Sequence, residues 1–98
     1  MRPPVRLLPE ARAEFDEATD WYEGRRAGLG ATFVARVREV FDRIASDPHR
    51  HAAMHLDIRK TSVPKFPYVI LYREELVEIV VVSVFHTSRD PSVWKSRT

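Results

Sequence analysis

The stretch that decides the fold is L-V-E-I-V-V-V-S-V-F-H-T-S-R-D-P-S-V-W, residues 76–94. Ile79, Val80, Val81, Val82, Val84 and Phe85 are β-branched or aromatic, the residue types that suit a pleated, packed surface. A run of about ten residues lies near the upper end for a strand. Simple alternation puts Val80, Val82 and Val84 on one face and Ile79, Val81 and Phe85 on the other. Both faces are apolar, so residues 76–85 read as core and as a central strand. The run then ends in His86, Arg89, Asp90, Pro91 and Trp94. What this polar cluster does at the exit of a central strand is the functional question.

The chain around that strand supplies its partners. Residues 5–8 are short and apolar, an edge strand bounded by Pro3, Pro4 and Pro9. From Glu10 to about Arg26 the period becomes helical: Ala11, Phe15, Ala18 and Tyr22 form a stripe, which Trp21 widens. Glu14, Asp16, Glu17, Asp20 and Glu23 read as the solvated face of that helix. Gly28 and Gly30 supply a turn. A second helix spans residues 29–46 on Leu29, Phe33, Val37, Val40, Phe41 and Ile44, and Asp47-Pro48 ends it. Residues 47–56 read as an irregular loop. Residues 57–63 form a strand with Arg59 and Lys60 on opposite faces, and residues 68–73 another. Glu74-Glu75 reads as the tight turn into the central strand. The expected architecture is α+β in the order β-α-α-β-β-β: an antiparallel-rich sheet with a helical hairpin packed on one face, in a single domain over residues 1–98.

Composition narrows the function classes. The chain has 98 residues and no cysteine, so disulfide frameworks and thiolate metal sites are excluded. No apolar run is long enough for a signal peptide or a membrane span, and the expected location is the cytoplasm. Residues 1–57 hold nine Lys/Arg against ten Asp/Glu, and residues 58–98 hold seven against four. The second part is therefore the candidate basic face for a polyanion or an acidic partner. His49, His51 and His55 invite a metal reading, but no carboxylate accompanies them at a recognisable ligand spacing, so neither a metal nor another cofactor is expected.

Four pieces of the chain, in order, carry a resemblance. They are Ala18, Trp21 and Tyr22 followed by the glycine turn and Phe33, Val34 and Val37; then Ile58, Arg59, Lys60 and Val63; then F-P-Y-V-I-L-Y-R at residues 66–73; and finally H-T-S-R-D-P-x-x-W at residues 86–94. Together they resemble the ParE/RelE family of toxins from type II toxin–antitoxin modules, often labelled plasmid stabilisation proteins. The resemblance implies a growth-inhibiting toxin held inactive, in a hetero-oligomer, by a cognate antitoxin encoded beside it. It also implies one of two targets. The ParE-like branch poisons DNA gyrase and needs only a docking surface. The RelE-like branch is a metal-independent ribonuclease that cleaves mRNA on the ribosome. The WY-bearing first helix and the F-P-Y-x-I-x-Y strand are closer to the ParE-like branch, which is the expected reading; a non-catalytic binding module or inactive toxin is a third.

Each branch nominates residues. RNA cleavage through its own 2′-OH needs a base, cations for the developing phosphorane charge, and an acid. Arg59, Arg73 and Arg89 are the candidate cations, and His86 the acid/base. For docking of target or antitoxin the candidates are Trp21, Tyr22, Lys60, Lys65 and Trp94. The same residues have structural readings. His86 can cap the strand end, Arg89 and Asp90 can form an ion pair, Trp94 can close the core, and Tyr68 and Tyr72, spaced i, i+4 on one strand face, can be core.

Overall fold

The helices follow from their stripes. Pro9 pre-sets the first helical φ and Glu10 complements the positive end of the helix. The computed structural model describes residues 2–50 and 53–98. Within them the order is β1 (Val5–Leu7), α1 (Pro9–Arg25), α2 (Leu29–Ser46), β2 (Ala53–His55), β3 (Ile58–Ser62), β4 (Tyr68–Glu74), β5 (Ile79–His86) and α3 (Ser92–Lys95). Ala11, Phe15, Ala18 and Tyr22 of α1 and Phe33, Val37, Val40 and Ile44 of α2 are buried together against one sheet face. The turn between the helices is closed by Glu23, whose carboxylate accepts the Gly28 and Gly30 N–H groups at 3.0 Å each. It caps the start of α2, where backbone donors have no intrahelical partner.

The sheet has five strands in the order β1-β5-β4-β3-β2. β1 runs parallel to β5, and the other pairings are antiparallel. The α+β expectation holds, with β5 interior as expected. Two elements were missed: β2, three residues inside the segment read as loop, and α3, a single turn. Both are too short for periodicity to register.

Three details of the central hairpin differ from the expectation. The turn lies two residues later than Glu74-Glu75: the Glu75 N–H donates to the Glu78 carbonyl at 2.8 Å. Leu76 and Val77 sit at its tip, 100% and 74% exposed, rather than in the core. The tip is tied to β1 by Arg6, whose Nε and Nη2 each donate to a Glu78 oxygen at 3.0 Å. This pairing holds the Glu78 carboxyl below its usual range.

The second difference is a β-bulge. Tyr72 pairs with Val81 but Leu71 pairs with Ser83, so Val82 is an extra residue in β5. The bulge flips the alternation. Val84 joins Ile79 and Val81 on the helix side, while Phe85 joins Val82 on the other. Two polar backbone groups at the bulge are then satisfied by side chains. The Val84 N–H donates to Glu14 at 3.1 Å, and the Val82 carbonyl accepts from Arg97 at 3.1 Å.

The third concerns the sheet's second face. Ile58, Val69, Leu71, Val82 and Phe85 form a smaller apolar cluster there, closed by Trp94. Trp94 is 1% exposed. It was expected on a docking surface; the one-turn helix α3 instead folds the indole onto the sheet, where burying so large an apolar side chain is most favourable.

Candidate functional site

One side of α1 and the exit of β5 face each other across a cleft of about 610 Å³. Glu14, Glu17, Ala18, Trp21 and Tyr22 line it from α1, at the i, i+3, i+4, i+7, i+8 positions that share a helix side. Pro67 and Tyr68 line it from the start of β4, and Val84, His86, Ser88 and Arg89 from β5 and the segment after it. The cleft thus gathers four of the sequence candidates: Trp21, Tyr22, His86 and Arg89.

Glu14 organises one end. It was read as a solvated carboxylate, yet its side chain is only 10% exposed. Its Oε1 accepts from Ser83 Oγ at 2.8 Å and from Arg97 Nη1 at 2.9 Å, besides the Val84 N–H. Its Oε2 accepts from Arg97 Nη2 at 3.2 Å and Arg89 Nη1 at 3.4 Å. Ser83, the polar residue inside the apolar run, and Arg97, near the C-terminus, were the available signals for this network. Arg89 is therefore paired with Glu14 rather than Asp90. The Asp90 carboxylate instead accepts the Ser92 N–H at 2.9 Å, which lowers its pKa and shapes the turn into α3.

His86 is fixed by its own turn. Its Nδ1 lies 3.1 Å from the Ser88 N–H and 2.7 Å from Ser88 Oγ. A backbone N–H can only donate, so Nδ1 accepts, and the proton of the neutral ring sits on Nε2. In that arrangement neither ring nitrogen has a free lone pair for a substrate hydroxyl. The ring packs edge-on against Tyr68, its cross-strand partner, at 5.0 Å. Burial raises the pKa of both Tyr22 and Tyr68, so both phenols stay protonated at neutral pH.

The remaining cations lie elsewhere. Arg59 pairs across the sheet with Tyr72, four residues from Tyr68 along β4, or about 13 Å at the usual strand rise. Arg73 pairs with Val80 and belongs to the alternate set of β4, on the face away from the helices; it lies 3.6 Å from Glu75. Lys60 shares that face, opposite Leu71. Lys65 occupies a left-handed turn position, φ 69°, beside Arg36, Glu39, Asp42 and Arg43 of α2. Strand alternation puts Arg59 on one face of the sheet and Lys60 and Arg73 on the other, as expected for the Arg59/Lys60 pair. Tyr72 is core, its hydroxyl donating to the Pro48 carbonyl at 3.0 Å.

Among the described residues no three His, Asp or Glu side chains gather as a metal site. His49 contacts Glu74 and His55 packs on Trp94, in different surroundings, and His51 lies outside the described residues. Among the same residues no helix is long and apolar enough to cross a membrane.

The fold is shared with a solved structure described as the chromosomal ParDE TA system from P. aeruginosa, with a TM-score of 0.74 at 15% identity, covering 89% of this chain and 98% of that one. An α+β fold of this type, with a helical hairpin on one face of a mixed sheet, is thus the class to which the architecture belongs. The family model for the ParE toxin of type II toxin–antitoxin systems, parDE, matches residues 5–91, and the chain is a member of that family. No curated protein sequence matches it. As a type II toxin it has an antitoxin for a partner.

Proposed function

We propose that the chain inhibits growth by docking on DNA gyrase and poisoning it, in the cytoplasm, without a catalytic set of its own. The observation that supports docking over RNA cleavage is the dispersal of the cations. Of the four nuclease candidates, only His86 and Arg89 share the cleft, Arg59 lies about 13 Å along the sheet, and Arg73 belongs to the other face. Arg89 is engaged by Glu14 and His86 Nδ1 by Ser88. A phosphorane needs several cations converging on one point, since their stabilisation falls off with distance.

The competing RelE-like reading draws on the shared position of His86 and Arg89, and one variant separates the two. Under the proposal, His86→Ala leaves growth inhibition on induction at the level of the parent chain. If His86 were the acid or base of a ribonuclease, the variant would lose on the order of 10²-fold or more in activity. A folded His86→Ala protein with that loss, together with loss of ribosome-dependent transcript cleavage, would replace the gyrase reading.

A further inference from the structure

Among the described residues four large apolar side chains remain exposed: Trp21, Leu56, Leu76 and Val77, at 57%, 75%, 100% and 74%. Trp21 borders the cleft, whereas the other three gather at the opposite end of the sheet. Glu74 pairs with Ile79, so Leu76 and Val77 form the tip of the β4–β5 hairpin. His55 pairs with Ile58, so Leu56 and Asp57 alone join β2 to β3. Arg59 pairs with Tyr72, which brings both tips to one end, two strand spacings or about 10 Å apart. From this end β5 runs eight residues, roughly 24 Å, to His86 in the cleft.

Leu56 is an unusual residue for its place. Its φ is 52°, in the left-handed region that glycine and asparagine adopt with less strain. Two-residue hairpin connections favour those residues where φ is positive. Here the position carries a leucine whose side chain stands in water. Strained positions concentrate where a protein makes functional contacts.

The charges of the β4–β5 turn are already engaged. Glu78 holds Arg6, Glu74 contacts His49, and Arg73 lies 3.6 Å from Glu75. What this end offers is apolar surface rather than charge, which suits a pocket on a protein and not a phosphate backbone. Three side chains fall well short of the roughly 800 Å² that each partner buries in a standard stable interface, so they cannot by themselves hold two copies of this chain together. Two protruding tips suit a concave apolar site on a larger protein, as buried anchors within a wider contact.

From these features we infer that the two hairpin tips are the anchors by which the chain docks on its target, with Leu56, Leu76 and Val77 seated in an apolar depression of gyrase. This rests on the gyrase reading and adds where on the chain the contact lies.

The test measures binding of the purified chain to purified gyrase, together with the gyrase-dependent plasmid breaks it causes. The double variant Leu76→Ser with Val77→Ser is expected to weaken binding by about 30-fold or more, and the concentration needed for breaks to rise in step. Leu56→Gly is expected to weaken binding roughly tenfold yet to melt no lower than the parent, because glycine takes up the positive φ freely. Arg38→Ala, exposed on α2, is expected to act as the parent does. Raising the salt concentration should change the parent's affinity little, since the anchors are uncharged. If the parent breaks DNA through gyrase and both tip variants do so at the same concentrations, the inference is overturned while the gyrase reading stands. A steep loss of affinity with salt also overturns it, since charges would then carry the docking. So does sedimentation in which the parent self-associates and the tip variants do not, with gyrase binding unchanged, since the tips would then seat on a second copy. If the parent neither binds gyrase nor breaks DNA, the gyrase reading fails and the inference falls with it.

Discussion

Replacing Glu14 with alanine is expected to cost about 3–5 kcal/mol of folding stability, the range for removing one partner of a buried ion pair. The carboxylate accepts hydrogen bonds from Ser83, Val84, Arg97 and Arg89. Without it, the Arg97 guanidinium, only 12% exposed, keeps just the Val82 carbonyl, and the Val84 N–H at the bulge loses its acceptor. A surface pair of the same residues would contribute no more than about 1 kcal/mol. Small domains are stable by only about 5–15 kcal/mol in total, so the variant approaches the threshold of folding. For a chain of this size the melting temperature should fall by roughly 15–30 °C. The double variant Glu14→Leu with Arg97→Met should recover part of the loss, because it removes both charges together. Urea titration of the three proteins measures this. A loss below about 1 kcal/mol in Glu14→Ala would mean that the carboxylate does not hold the bulge.

Val82→Asp is the second large effect. Val82 is fully buried in the cluster of Ile58, Val69, Leu71, Phe85 and Trp94. An aspartate there would bury a carboxylate among apolar side chains, and the group would have to take up a proton or stay unpaired. Several kcal/mol of destabilisation follow, enough to unfold a domain of ordinary stability. The expected readout is loss of the cooperative thermal transition. Normal folding of this variant would place residue 82 outside the core.

How much of this was legible beforehand differs by element. The two helices were readable because their apolar residues recur at 3.6-residue spacing, and the observed α2 coincides with the expected span. The interior position of β5 was readable because both of its faces are apolar. That same property hid the bulge: in a run where every position is buried, an inserted residue leaves no break in the pattern. Glu14 sits at the edge of the α1 stripe, and its burial depends on donors distant in sequence: Ser83 Oγ, the Val84 N–H at the bulge, Arg89 and Arg97. Trp21 and Trp94, both docking candidates, part company in the structure. Trp21, at the edge of the α1 stripe, is exposed. Trp94 was expected on a docking surface and is buried, because α3 turns it back onto the sheet. Of the candidate site, His86, Arg89, Trp21 and Tyr22 do share one cleft, whereas Arg59, Lys60, Lys65, Arg73 and Trp94 do not. Separating them required the strand register, which depends on tertiary pairing rather than on local sequence.

The central claim, a toxin that acts by docking on gyrase, is tested most directly with purified components. The chain is incubated with gyrase, ATP and supercoiled plasmid, and in parallel with ribosomes translating a defined message. The account predicts gyrase-dependent breaks in the plasmid, lost when gyrase is omitted or the antitoxin is added, with the message intact. Codon-positioned cuts in the message, with the plasmid unbroken, would contradict it.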